Sequence, residues 1–293
     1  MPEMLPIIFI HKHNNDYLPI SLWKARETNP DSEIILIGDG QNAHFGAWVR
    51  HVNQHKFQTN ATLFAKKFKN FSTNPHNFEL ICLQRWLILE EFLNVNKIDS
   101  CLYLDSDVLL FDQINDDANR FSKFGMTVAG ISGHTNFING IETLSSFCRF
   151  IESAYSDEKN ISILSEKYQT FLLTHKAGGI SDMTFFTEFR EKYPLKVLDI
   201  AEPIDNKMFD ITITYTKGYK ETAGVKSLTW KNKMPYVQSV TDRYIEMRTL
   251  HFQGNSKKEM KQMAYINSTT FELLYLLNKA YLLLQKVWNK IKF

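Results

Sequence analysis

Short, continuous apolar runs alternate with longer amphipathic stretches in the first part of the chain. Residues 5–10 and 33–37 are apolar runs of the kind that forms strands covered on both faces, and the periodic segment 17–27 between them predicts a helix. A strand, a helix and a strand at this spacing form a βαβ unit, which implies a parallel sheet. We therefore expect an α/β fold whose ligands gather at the carboxyl ends of the strands.

The later part of the chain continues this alternation. A helix with an N-cap at Asn74 is expected to run to about residue 94 and to lead directly into the apolar segment 100–111. The remaining predictions are a strand at 126–131, a polar loop at 133–140, a helix capped by Ser181, a Thr-rich strand at 211–215, and a basic hairpin or lid at 216–233.

Two carboxylates interrupt the apolar segment 100–111. Asp105 and Asp107 stand one residue apart, with apolar residues on either side. Buried carboxylates are costly unless they are paired or bound to a metal. Residues i and i+2 of an extended segment point to the same side, so both acids can face one cation.

Residues 103–110, YLDSDVLL, resemble the Asp-x-Asp motif of the GT-A fold glycosyltransferases, which use nucleotide sugars. The resemblance implies a Rossmann-like, mixed but mostly parallel central sheet flanked by helices. It also implies that Asp105 and Asp107 hold Mn²⁺ or Mg²⁺ on the diphosphate of the donor. An acidic strand end that faces water is the other interpretation of the motif.

A second motif lies near the end of the chain. His251, Gly254 and Lys257 resemble the His-x-x-Gly-x-x-Lys element of glycosyltransferase family 8. The resemblance implies that His251 is a third metal ligand and that Gly254 and Lys257 lie at the diphosphate. An imidazole with oxygen ligands suits Mn²⁺, and an ammonium neutralises a leaving phosphate. The first strand, however, ends in His11 and Lys12, where the family has small and acidic residues that grip the nucleoside, so a member of another GT-A family is the other interpretation.

Further candidate residues follow from the strand ends and from the resemblance. The candidates for binding the nucleotide are His11, Lys12, Asp39 and Ser106. Arg85, on the helix before the motif, is expected either to reach the donor or to pair with a helix-surface Glu. Asp182 follows a glycine pair that includes Gly179, and it is either a contact of donor or acceptor sugar or a helix-dipole residue. Asn136 and Asn139 are candidates for hydroxyl recognition, in what is otherwise an ordinary solvent loop.

Composition and the tail complete the prediction. The chain has 293 residues, a net charge of +2, and three cysteines without metal-ligand spacing, so we expect no nucleic-acid partner and reduced thiols. The start of the chain has no signal-peptide pattern, which predicts a cytoplasmic protein. We expect one GT-A domain over residues 1–265 and a C-terminal amphipathic helix over 266–293. Its wide apolar face, with Trp288 and a stripe that includes Lys279 and Lys290, suits the inner face of the cell membrane. The other interpretation is a helix packed on the domain or on a second subunit.

The function expected is transfer of a sugar from a UDP-sugar to a glycan or glycolipid hydroxyl, in bacterial surface polysaccharide synthesis. Retention of configuration is favoured over inversion, and Asp182 is the candidate base if the reaction inverts. The alternative is a membrane-associated protein that binds nucleotide sugars or glycans on the same fold without catalysis.

Overall fold

The computed structural model describes the backbone of residues 4–291 and the side chains of residues 4–287. In chain order the strands are β1 (Ile7–Ile10), β2 (Ile34–Gly38), β3 (Arg50–Asn53), β4 (Cys101–Leu104), β5 (Val108–Leu110), β6 (Met126–Val128), β7 (Thr135–Ile138), β8 (Val197–Asp199), β9 (Lys207–Met208), β10 (Glu221–Thr222), β11 (Val225–Lys226), β12 (Leu228–Lys231), β13 (Met234–Gln238), β14 (Tyr244–Met247) and β15 (Thr249–His251).

Helices alternate with these strands. They are α1 (Leu18–Thr28), α2 (Thr59–Ala65), α3 (His76–Asn96), α4 (Asn115–Phe121), α5 (Ile141–Ala154), α6 (Glu158–Leu172), α7 (Asp182–Lys192), α8 (Met260–Met263) and α9 (Thr269–Ile291). Short 3₁₀ helices span Ala43–Ala47, Gln54–Phe57 and Gly254–Glu259.

The chain divides into two compact units, each made of separate stretches of sequence. Within the described residues, the first unit comprises 4–53, 103–117 and 200–291. Its sheet strands lie in the order β3, β2, β1 and the end of β4, with β2 parallel to both β1 and β3. A second sheet has the order β12, β13, β14, β9, and β15 pairs with β5. Helix α1 packs against β5 and α9.

The second unit comprises residues 54–102 and 118–199. Strand β6 lies between β7, which is antiparallel to it, and β8, which is parallel. Helix α3 packs against α2 and α5, and α5 packs against α6 and α7. The core is aromatic: Phe186 stacks on Phe147 at 4.2 Å between ring centroids and meets Trp86 edge to face at 4.9 Å. Such pairs add to the free energy gained by burial.

The predicted fold class is confirmed. The structure is α/β, with a mixed, mostly parallel central sheet flanked by helices and a C-terminal helix. Ser181 caps α7 as predicted, since its Oγ accepts a hydrogen bond from the Met183 N–H.

Three local predictions are wrong. Helix α3 begins at His76, and the Asn74 amide does not cap it but donates to buried Glu79. Residues 135–138 are a fully buried strand and not a loop, because they pair with β6 and the Asn136 oxygen accepts from the Thr127 N–H. Residues 211–215 are irregular, since their backbone bonds to His251. The predicted hairpin is present as the antiparallel pair β10 and β11, and Lys226 within it is buried and not solvated.

Candidate functional site

Three predicted residues meet in the first unit. The Nε2 atom of His251 lies 3.6 Å from Asp107 Oδ1, and Lys257 Nζ lies 3.0 Å from Asp107 Oδ2. The Asp107 side chain is 14% exposed and that of His251 is 3% exposed. The structure thus brings the Asp-x-Asp motif together with the His-x-x-Gly-x-x-Lys element.

Strand pairing explains this meeting. The antiparallel register of β15 and β5 sets His251 opposite Val108, and the Phe252 N–H donates to the Asp107 carbonyl at 2.9 Å. Gly254 then opens the 3₁₀ helix Gly254–Glu259 with φ +55°, a left-handed conformation that glycine adopts without strain. The turn carries Lys257 back to Asp107.

The charges of the three side chains are coupled. Burial raises the pKa of Asp107, but the neighbouring His251 and Lys257 outweigh burial and hold that pKa well below its ordinary value. Burial lowers the pKa of His251, yet Asp107 outweighs it and the net pKa is raised. The pKa of Lys257 is raised in the same way. Asp107 is therefore ionised and available as a ligand.

A divalent metal fits the donor atoms of this pair. A carboxylate oxygen and an imidazole nitrogen suit Mn²⁺, and two neighbouring ligands of an octahedral ion lie about 3 Å apart. The third predicted ligand, Asp105, accepts a hydrogen bond from the Tyr103 hydroxyl at 2.6 Å. Among residues 4–291 no three His, Cys, Asp or Glu side chains are grouped to hold a metal. The protein supplies Asp107 and His251 as a pair.

His11 and Ser106 are joined beside this pair. His11 Nδ1 lies 2.7 Å from Ser106 Oγ, and the Asn15 amide donates to His11 Nε2 at 2.7 Å. Burial lowers the pKa of His11 to about 4, so the ring is neutral at pH 7. The amide contact sets the tautomer, in which Nδ1–H donates to Ser106. Ser106, which lies between the two aspartates in sequence, is thus hydrogen-bonded to His11, the residue that follows β1.

Asp39 follows β2 and organises the neighbouring turn. Its oxygens accept from the backbone N–H groups of His13 and Gln41, both at 2.8 Å. Lys12 is exposed at the same end of the sheet. Both residues lie at strand ends, as predicted.

Arg85 and Asp182 form an ion pair in the second unit. The Arg85 Nη2 atom donates to Asp182 Oδ2 at 2.5 Å, and the Trp86 indole N–H donates to the same oxygen at 3.1 Å. The Asp182 side chain is 4% exposed. Arg85 therefore pairs with an acid on another helix.

The remaining candidates of the second unit have structural contacts. Asn136 is buried and accepts from the Thr127 N–H at 3.3 Å, so a sugar does not reach it in this structure. Asn139 donates to the carbonyls of Phe121 and Phe124. Gly179 packs against the backbone at Ser72, where a Cβ atom would lie 2.5 Å from Ser72 Cα.

Sequence reasoning missed three aromatic contacts of these sites. The Tyr17 ring lies 4.7 Å from Lys257 Nζ, Tyr103 bonds Asp105, and Trp86 bonds Asp182. Tyr103 was identifiable, because residues i and i+2 of a strand share a face. Tyr17 precedes α1 and Trp86 lies in α3, where neighbouring apolar residues look alike in sequence.

Comparisons with known proteins give a distant structural likeness. No protein-family model matches the chain, and no curated protein matches it. Similar solved structures include mouse xyloside xylosyltransferase 1 (10% identity, 66% of this chain and 83% of that chain, TM-score 0.48). Others are galactosyltransferase LgtC with donor and acceptor sugar analogues (13% identity, 92% and 99%, TM-score 0.47) and the glycosyltransferase GlyE of Streptococcus pneumoniae (11% identity, 92% and 63%, TM-score 0.45). We base the functional proposal on the side chains of this chain.

The C-terminal helix α9 has two different faces. Phe271, Tyr275 and Asn278 are buried on the first unit, whereas a stripe of large apolar residues is exposed. We call this stripe the leucine stripe: Leu273, Leu276, Leu277, Leu283, Leu284 and Val287. Within the described residues no helix is long and apolar enough to span a bilayer. The predicted contributions of Trp288 and Lys290 lie outside the described side chains.

Proposed function

We propose that the chain is a metal-dependent glycosyltransferase that moves a sugar from a UDP-sugar to a hydroxyl of a glycan or glycolipid. The observation that carries the proposal is the meeting of Asp107, His251 and Lys257. The carboxylate and the imidazole are suitable ligands for a divalent cation, and the ammonium group lies beside them. Together these groups suit the binding of a diphosphate with its metal ion.

Each residue of the first unit has a proposed role. Asp107 and His251 would hold Mn²⁺ or Mg²⁺, with Asp105 as a further ligand directly or through water. When bound, the metal would supply Lewis-acid stabilisation of the departing diphosphate. Lys257 would add positive charge at the same phosphates, and Gly254 allows its turn to approach them.

The nucleotide would lie at the strand ends of the first unit. Ser106, held by His11, presents a hydroxyl next to the metal pair. Lys12 and Asp39 flank it as predicted contacts of the nucleotide. The neutral His11 adds no positive charge at the phosphates, so Lys257 and the metal would provide the neutralisation.

The contacts of Asp182 favour retention of configuration. Its Oδ2 atom already accepts two hydrogen bonds, from Arg85 and Trp86. These bonds suit a carboxylate that holds neighbouring side chains in place better than a general base that removes a proton from the acceptor. We therefore propose Arg85 and Asp182 as contacts of the sugar, together with the backbone at Gly179. If the reaction inverts, Asp182 is the candidate base.

The leucine stripe supports peripheral membrane association. An apolar stripe on one helix face, beside Lys279 and Lys286, suits an anionic bilayer surface such as the inner face of the cell membrane. A glycolipid acceptor and a role in bacterial surface polysaccharide synthesis would agree with this location. If the protein does not bind liposomes, the stripe would instead pair with a second copy of the chain.

The experiment is hydrolysis of UDP-galactose and UDP-glucose by the purified protein with and without Mn²⁺. We expect Mn²⁺-dependent release of UDP, and a loss of more than about 100-fold in Asp107→Asn and His251→Ala. Asp242→Asn is the matched control, because Asp242 is an exposed acid of the same unit with φ +62°, which asparagine tolerates. Near-native turnover of Asp107→Asn would refute the metal assignment. UDP-sugar binding that a chelator leaves unchanged, without turnover, would favour the non-catalytic binding protein.

A further inference from the structure

A buried ion pair lies behind His251. Lys226 Nζ bonds Asp210 Oδ1, and both side chains are 0% exposed. The other Nζ contacts of Lys226 are the Thr212 carbonyl at 3.2 Å and the Tyr219 ring, whose centroid is 5.1 Å away. The charge of Lys226 is therefore satisfied by protein groups inside the first unit.

The second oxygen of Asp210 holds the backbone of His251. The His251 N–H donates to Asp210 Oδ2 at 3.0 Å. Asp210 is tied to the same strand a second time, because its own N–H donates to Thr249 Oγ1 at 3.1 Å. The carboxylate thus spans from Lys226 to the strand that carries the imidazole.

The residues next to Asp210 fix the rest of His251. The Ile213 N–H donates to the His251 carbonyl at 2.9 Å, and the Ile211 carbonyl lies 2.6 Å from His251 Nδ1. A carbonyl only accepts, so Nδ1 carries a proton and the lone pair of the neutral ring is on Nε2. Nε2 is the atom that faces Asp107. The segment from Asp210 to Ile213 therefore sets both the position and the tautomer of the imidazole.

Stability alone is a weak reason for this ion pair. Taking two charges out of water costs about as much free energy as their attraction returns, and apolar replacements of whole buried pairs are often tolerated. A metal-binding histidine is oriented by an outer group at its second ring nitrogen. Here that group is the Ile211 carbonyl, and the neighbouring Asp210, held by Lys226, fixes the segment that carries this carbonyl.

We propose that Asp210, held by Lys226, is a positioning residue that directs His251 Nε2 at Asp107 and so prearranges the two groups for one divalent ion. The inference rests on the proposed function, because it takes His251 as a metal ligand. Asp210 and Lys226 themselves touch neither metal nor substrate in this role.

The test compares two double variants of the full chain. Asp210→Ala with Lys226→Met removes the charges and the acceptor for the His251 N–H, whereas Asp210→Asn with Lys226→Met keeps an acceptor oxygen. We expect the dissociation constant for Mn²⁺ alone, measured by calorimetry or by the spin-resonance signal of free Mn²⁺, to rise about 10- to 100-fold in the alanine variant. The asparagine variant is expected to recover most of the affinity.

Another buried pair of the same unit provides the control. Arg248 and Asp117 are 3% and 6% exposed, and the Arg248 Nε and Nη2 atoms both donate to Asp117 Oδ2. Arg248→Met with Asp117→Leu should leave the Mn²⁺ affinity unchanged. A folded alanine variant with native affinity would overturn the positioning role.

Measurements on the unaltered protein separate the remaining outcomes. The ¹⁵N shifts of His251 are expected to report the Nδ1–H tautomer of the neutral ring, and an Nε2–H tautomer would overturn the proposal even if the alanine variant does not fold. Failure of the unaltered protein to bind Mn²⁺ would refute the metal site, and the proposed function with it. Mn²⁺ binding that the alanine variant retains would refute the positioning role alone.

Discussion

Arg248 is expected to be among the most sensitive positions for the stability of the first unit. Its Nε and Nη2 atoms donate to Asp117 Oδ2 at 2.9 and 2.5 Å, Nη2 also donates to the Gln113 carbonyl at 2.8 Å, and Nη1 bonds Asp112. Burial lowers its pKa to about 10, which still leaves the guanidinium charged at pH 7. One side chain therefore joins β14 and β15 to the segment that follows β5.

Replacing Arg248 with Met leaves the Asp117 carboxylate buried without its guanidinium. Loss of one partner of a buried ion pair costs about 3–5 kcal/mol of unfolding free energy. For a unit of this size that is a fall in Tm of about 10 °C. Loss of the contact with Asp112 adds little to this free energy, because the Asp112 side chain is 38% exposed and water solvates its carboxylate. Arg248→Met with Asp117→Leu should recover most of the loss, since no buried charge remains.

Thermal and urea unfolding followed by circular dichroism would measure both effects in chelator-containing buffer. A single variant within about 1 kcal/mol of the unaltered protein would refute the assignment of a buried, charged Asp117. A double variant no more stable than the single one would refute the reasoning about the uncompensated charge.

Three further predictions concern pH, a backbone contact and the helix α9. Because the pKa of His251 is raised in the folded protein, protonation of this side chain adds to the free energy of unfolding. This contribution is fully present below about pH 6.5 and is lost as pH rises through the folded pKa, so the protein in chelator-containing buffer should become less stable above neutrality. His251→Gln should lose less stability, and equal losses in the two proteins would contradict this linkage. Gly179→Ala should lower the stability of the second unit by about 1–3 kcal/mol in urea unfolding, because the new Cβ clashes with the Phe71 carbonyl. Gly140→Ala should not, because a Cβ atom at Gly140 would have no atom within 4 Å. Equal effects of the two substitutions would rule out the clash. A variant with glutamine at Leu273, Leu277 and Leu284 of the leucine stripe should sediment with anionic liposomes at least about tenfold less, without a change in UDP-sugar hydrolysis. Unchanged sedimentation would exclude the stripe as the membrane contact.

The substitutions on α9 are preferable to deletion of the tail. Phe271 and Tyr275 belong to the core of the first unit, so removing residues 267–293 would expose that core as well as remove the stripe. Substitution of exposed leucines changes the surface alone.

The parts of the fold that follow from local patterns were predictable from sequence. Continuous apolar runs gave β1 and β2, and Ser181 gave the start of α7, because burial and capping are encoded over a few residues. Strand β7 was not predictable, because its hydrogen bonds go to a residue of another strand: the Asn136 oxygen accepts from the Thr127 N–H, and the Thr127 hydroxyl accepts from the Phe137 N–H. Periodicity contains no information about such partners.

The candidate site divides in the same way. The spacing of the two motifs identified Asp107, His251 and Lys257, which the structure brings together. Lys226 looked like one of several solvated lysines, because nothing near it in sequence indicates that Asp210 lies against it. The prediction of a third metal ligand at Asp105 stays a prediction.

The pairing of β5 with β15 also constrains when the site can exist. Almost half of the chain, including residues 118–199 of the second unit, must be made between Asp107 and His251. Closing so long a loop costs entropy, and native contacts of such long range form late in folding. A nascent chain that stops before β15 lacks the partner strand altogether. The chain therefore cannot bring Asp107 and His251 together until β15 has been made.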